Sequence, residues 1–192
     1  TAFIYIGKGS DGCWSVKSEF FAPAEGVEER SIADHVPYAL WAKQGHLTLT
    51  PGRTVGYDYV AHRMIELNDQ LGVEEIRYDR WGMTEFTGHL KLAGAEDLPV
   101  VEHGQGYKDM TPALSILEEA LLNERLRHGN HPILTWCAAN AVIDMDPAGG
   151  RKFTKKRSTG RIDGMVALAM AINWAEENEG SMEDFLNNVV VV

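Results

Sequence analysis

The chain has 192 residues, 44% hydrophobic and 24% charged, enough to bury a substantial core without disulfides or a structural metal. Its formal net charge of −10 excludes a surface that binds nucleic acid everywhere, because phosphate contact needs clustered lysine and arginine; any such contact must be local. The two cysteines, Cys13 and Cys137, have no metal-binding or redox spacing and fit a reducing compartment, and no apolar run approaches the roughly 20 residues of a membrane helix.

Thr1 opens directly onto the apolar run Ala2, Phe3, Ile4, Tyr5, Ile6 with no leader pattern, which predicts a buried strand at the head of a fragment. Turn chemistry at 7–12 joins it to a second strand over 13–21 as a hairpin. Residues 25–35 read as an acidic connector, 36–44 as a short helix, and Leu47 and Leu49 as a short alternating segment. Tyr57, Val60, Ala61, Met64, Leu67 and Leu71 recur at three- and four-residue steps before Gly72, which predicts a helix with a glycine cap. A strand over 73–78 follows and stops at Asp79, Arg80, Trp81 and Gly82. Residues 84–93 have helical composition, and 98–102 form a short strand before the glycine-bearing segment 103–107.

Thr111 and Pro112 predict a helix start, with Leu114, Leu117 and Leu121 as its apolar stripe and Arg125, Arg127 and His128 at its negative end. A brief helix near 132–138, a strand over 141–145, a basic loop over 146–161 and a long helix over 162–178 come next. That last helix is apolar on several faces, so it should pack between the sheet and another element. Ser181 to Asp184 has capping-box spacing and predicts a final short helix before the tail 189–192. Hairpin strands followed by alternating helices and strands define an α/β domain with a mixed sheet.

Two carboxylates stand where chemistry forms in such folds. Asp79 follows a strand, at the end where crevices open, although a turn-capping role fits that position equally. Asp163 lies in the first turn of the long helix, where offsetting the helix dipole is, on position alone, the stronger reading. Brought together, the two would repel unless a cation lay between them, and hard oxygen ligands select Mg²⁺ or Mn²⁺. The adjacent stretch holding Arg151, Lys152, Lys155, Lys156, Arg157 and Arg161 contains no acid before Asp163 and could draw a phosphate backbone across an acidic surface. The seven histidines show no HExxH or repeated ligand spacing and read as surface or capping residues. GxxxxGK[ST] does not occur, so these residues carry no nucleotide-hydrolysing motor.

The blocks YDRWG around Asp79, VEHGQGYKDMTPAL from Val101, and LLNERLRHGNHPILTWCAANAVIDMDPAGGRKFTKKRSTGRIDGMVALAMA from Leu121 resemble the C-terminal half of large terminase subunits of tailed phages and prophages. The resemblance implies a single RNase H-like nuclease domain over 1–192, a mixed sheet flanked by helices, which cuts concatemeric double-stranded DNA during packaging with Mg²⁺ or Mn²⁺. The family's second and third acids fall on Asp79 and Asp163, which favours the metal-ligand reading of both. Gln105 and Asp146 belong to matching blocks and receive no role. The family's first acid lies on a strand just upstream of Thr1, so the resemblance implies that this first strand and the ATPase motor domain both precede the chain, and that the fragment alone cuts weakly. Asp11 is no substitute, because it belongs to the hairpin turn. The resemblance further implies portal and small-terminase partners, no membrane, and work in the bacterial host cytoplasm. Two other readings are a DNA- or portal-docking module of the same fold that does not cut, and another RNase H-like nuclease such as a resolvase.

Overall fold

The computed structural model describes residues 1–79, 83–178 and 189–191, with the segments 83–85 and 189–191 described as backbone only. Alternation in β1 (Ala2–Lys8) sends Ile4 and Ile6 to one face and Phe3 to the other, and all three are buried. β1 pairs antiparallel along its length with β2 (Trp14–Pro23), Ala2 opposite Phe20 and Lys8 opposite Trp14. Asp11 sits in the intervening turn, where its carboxylate accepts the Cys13 N–H at 3.0 Å. β3 (Thr48–Thr50) adds parallel to the far end of β2, and β6 (Leu126–Arg127) adds parallel to its start.

β4 (Val73–Asp79) and β5 (Val100–His103) form a parallel pair at the other side. Between the two halves lies β9 (Val189–Val191), antiparallel to β1 and parallel to β4. The resulting path β3-β2-β1-β9-β4-β5 is the mixed sheet expected. The expected helix over 181–184 lies outside the described residues, as do Arg80, Trp81 and Gly82.

One face of the sheet is covered by α3 (Tyr57–Leu71) and α4 (Met83–Leu92), which pack on Phe3, Phe21, Val73 and Ile76. The other carries α2 (Tyr38–Lys43), α5 (Tyr107–Leu122), α6 (Pro132–Asn140) and α7 (Asp163–Glu177) over Ile4, Ile6, Trp14, Val16 and Phe20. α7 lies between β1 and α5 and is buried almost all round, from Val166 through Ala175, which is why its sequence lacks a polar face. Gly72 closes α3 in the left-handed conformation at φ 61°, as its position predicts.

Four local expectations are corrected. Residues 25–35 are not a connector but contain α1 (Val27–Asp34); it starts at Gly26 without a side-chain cap and buries no residue, so it has no apolar stripe to read. α5 begins at Tyr107, capped by Gly106, rather than at Thr111 and Pro112. Pro112 therefore sits inside the helix, where it cannot donate to the preceding turn, and the Thr111 hydroxyl accepts the Arg151 N–H at 2.8 Å instead of capping. Arg127 leaves that helix for β6, while Arg125 pairs with Glu176 at 2.7 Å. The basic loop contains β8 (Arg151–Phe153), which pairs antiparallel with β7 (Ile143–Met145) as a separate hairpin. Asp146 builds its turn by accepting the N–H groups of Ala148 at 2.9 Å and Gly150 at 2.7 Å.

Cys137 is sealed against α7, and burial pushes its thiol up to about 11. Native protein at pH 8 should accordingly lose one thiol quickly to a disulfide reagent, the half-buried Cys13, and expose the second only on unfolding. Two fast thiols per chain would contradict this packing.

Candidate active site

Asp79 is the last residue of β4, placed opposite His103 of β5 in the parallel register. Asp163 is the first residue of α7, which starts beside the same rim of the sheet. The two side chains line one cavity of about 340 Å³ together with Gln105, Lys155, Arg77 and the apolar wall of Phe3, Met64 and Phe86. A strand end and a helix start, 84 positions apart in the chain, thus converge as the sequence expectation required.

Local packing sets the aim of Asp163. The next residue, Gly164, is buried, and a Cβ there would come within 3.0 Å of two Phe20 ring carbons and 3.2 Å of Leu134 Cδ1. Only the missing side chain lets the first turn of α7 approach β2 this closely. Gly164→Val should cost about 1–3 kcal/mol by overpacking and tilt the first turn away from the sheet. Urea unfolding measures the loss; a variant as stable as the parent would show that this approach is not tight.

Lys155, from the loop after β8, places its ammonium 3.5 Å from an Asp163 carboxylate oxygen. Sequence reasoning grouped it with the DNA-contacting cations; the structure puts it inside the two-carboxylate cavity. Nothing in the local pattern separates it from Lys156, because the distinction depends on how the loop folds back after the hairpin. Gln105 also lines the cavity, carried there by the short segment between β5 and α5.

The other cations of the basic run are spread over neighbouring elements rather than exposed as one patch. Arg151 pairs with Glu118 at 2.8 Å and donates to Ser115 at 2.7 Å on α5, and Lys152 lies 4.4 Å from the centre of the Tyr107 ring. Arg157 reaches Asp144 at 3.2 Å, and Arg161 reaches Asp34 of α1 at 3.6 Å. Ion pairs this exposed contribute at most about 1 kcal/mol, so these partners are exchangeable for phosphate oxygens.

His103 departs from the expectation of surface histidines. It is buried, its Nδ1 lies 2.9 Å from the Gly104 carbonyl oxygen, and burial followed by the neighbouring Arg77 holds its pKa below the ordinary value. His131 stands at the N-cap of α6, with its pKa lowered by burial and by His46.

A hard divalent ion fits the carboxylate pair. Sites for Mg²⁺ commonly use one or two carboxylates and take their remaining oxygens from water and substrate phosphate. Among the described residues no cluster of three or more histidine, cysteine or acidic side chains is positioned to hold a metal, so Asp79 and Asp163 could supply at most two of an ion's ligands. The Lys155 ammonium beside Asp163 shows that the cavity accommodates positive charge.

A mixed sheet with a two-carboxylate cavity at the junction of a strand end and a helix start defines a nuclease-like α/β module. Residues 1–179 match the family model described as "Terminase large subunit, endonuclease domain", and the chain belongs to that family. It is 42% identical over 190 residues to a protein named "Terminase, large subunit" of Enterobacteria phage HK97, covering 97% of this chain and 38% of that protein. It is 31% identical to Protein YmfN of Escherichia coli strain K12, covering 94% of this chain and 41% of that one. The fold matches a structure described as "Crystal structure of the HK97 bacteriophage large terminase" with a TM-score of 0.86 and 43% identity, over 91% of this chain and 36% of that one. The chain thus spans about two-fifths of the length of these curated relatives. Among the described residues no helix is long and apolar enough to cross a membrane.

Proposed function

We propose that the chain is the metal-dependent endonuclease module of a phage-type large terminase and cleaves double-stranded DNA during genome packaging. The observation that carries this reading is the convergence of Asp79 and Asp163 on one cavity that also holds Lys155. Asp79 and Asp163 hold Mg²⁺ or Mn²⁺, with Gln105 as a neutral oxygen donor at the same wall. A pair of divalent ions bound there would activate a water and stabilise the leaving oxygen of the phosphodiester. Lys155 shields Asp163 before substrate arrives and then turns its ammonium to a phosphate oxygen, an exchange that costs little at its exposure. Lys152, Lys156, Arg157 and Arg161, with Arg151 anchoring the hairpin to α5, grip the backbone without reading sequence.

On this reading residues 1–192 act as one nuclease domain joined to a motor domain in the complete subunit, working in the host cytoplasm with portal and small terminase proteins. The test is supercoiled-plasmid cleavage by the full-length subunit with Mn²⁺, Mg²⁺ or EDTA, alongside calorimetric titration with Mn²⁺. Metal-dependent nicking that Asp79→Asn and Asp163→Asn both abolish is expected; equal cutting by those variants would defeat the assignment. The two-carboxylate shell gives some weight to a non-cutting docking module, which would instead show salt-sensitive DNA binding without any metal requirement.

A further inference from the structure

A second cavity, of about 300 Å³, shares Asp163 with the first and is otherwise lined by residues that, Arg161 apart, have no role in the chemistry above. The volume is at the lower end of the roughly 300–1,000 Å³ of small-molecule clefts.

Its walls combine two chemistries. Arg30, Arg53 and Arg161 converge on it against one lining carboxylate, Asp163, in a protein whose net charge is −10. Arg30 is held by the backbone carbonyls of Glu25, at 2.8 Å, and of Pro23, acceptors that fix a guanidinium without cancelling its charge. Arg53 is paired with Glu25 at 3.2 Å but its side chain is 90% exposed, so that pair offers little resistance to exchange. The aromatic side of the cavity is the half-buried Trp136. The buried Tyr38 stands edge to face against it at 6.0 Å and Trp41 lies 5.9 Å away, which holds the indole rigid. The Tyr38 hydroxyl donates to Asp34 at 2.6 Å and fixes that ring in turn.

A rigid aromatic wall edged by guanidinium groups is the recognition chemistry of an unpaired nucleotide, whose base stacks while its phosphate is gripped. We infer that this cavity is a subsite for one unstacked nucleotide of the DNA strand being cut, its base against Trp136 and its phosphate on Arg30 and Arg53. The inference rests on the nuclease reading for its placement beside the scissile bond, although the binding it predicts requires no cleavage. A nucleotide seated here has left the duplex stack, so strands already frayed or unpaired beside the cut are favoured.

Fluorescence anisotropy in EDTA tests the subsite separately from catalysis. The full-length subunit is titrated with a labelled single-stranded oligonucleotide and with the same backbone carrying abasic positions. The intact strand should bind at least about fivefold more tightly, and Trp136→Leu should remove that difference while leaving affinity for the abasic strand in place. Arg53→Ala lies on the surface and leaves folding intact; it should lower the slope of log affinity against log salt by about one. Equal binding of intact and abasic strands by the parent protein overturns the subsite, as does an unchanged salt slope in Arg53→Ala. If instead Asp79→Asn and Asp163→Asn still cut DNA, the catalytic assignment fails while these binding results keep their meaning.

Discussion

Asp79→Asn and Asp163→Asn should each reduce Mn²⁺-dependent DNA cleavage by about 10²–10³-fold, the scale on which one preorganised electrostatic group contributes to a transition state. Asparagine keeps the shape of each side chain, so the change isolates charge. The Asp163 side chain is 41% exposed and Asp79 is only partly buried, so stability without metal should stay close to the parent's in both variants. Metal distinguishes them. An ion that binds only the folded state stabilises it by about 2.7 kcal/mol at a hundredfold excess over its Kd, so the parent should gain melting temperature on adding Mn²⁺ and the variants should not. Melting curves recorded with and without Mn²⁺ separate this from a loss of fold. Variants that lose activity yet keep the full metal-induced rise would show that the carboxylates act without holding the ion.

Much of this site is legible from the chain, and the reasons differ by residue. Asp79 stands out because it ends a strand just before Arg80, Trp81 and Gly82, and Asp163 because it opens a helix with no polar face. Neither position distinguishes a ligand from a cap; the block resemblance favours the ligand reading, and the two residues line one cavity. Lys155 shows the limit. Its neighbours in sequence are equally basic, and its place beside Asp163 follows from how the chain leaves the β7–β8 hairpin, which composition does not reveal. α1 is hidden for a related reason, since a helix that buries nothing leaves no period to detect. Arg30 and Trp136 belong to separate helices, and only the folded chain brings them to one cavity.

Trp14→Ala should be the most damaging core substitution, at about 3–5 kcal/mol. Trp14 begins β2, is 1% exposed, and packs in the cluster that carries α7. Its indole N–H also donates to Glu176 at 2.8 Å, and Arg125 donates to the same carboxylate oxygen at 2.7 Å. One acid at the end of α7 therefore ties the hairpin to the segment leading into β6. Removing the ring leaves a cavity and deprives Glu176 of one donor, whereas Trp14→Phe keeps most of the apolar contact and loses mainly the hydrogen bond. The phenylalanine variant should thus cost less, about 1–3 kcal/mol, with the Arg125 pair holding the carboxylate. At this chain length each kcal/mol corresponds to about 2–4 °C of melting temperature, so the alanine variant should melt roughly 10 °C lower and the phenylalanine variant several degrees lower. Because α7 also presents Asp163, the alanine variant should lose Mn²⁺ affinity as well as stability. Equal melting of the two variants would mean that the Glu176 tie, rather than ring packing, anchors the helix against the sheet.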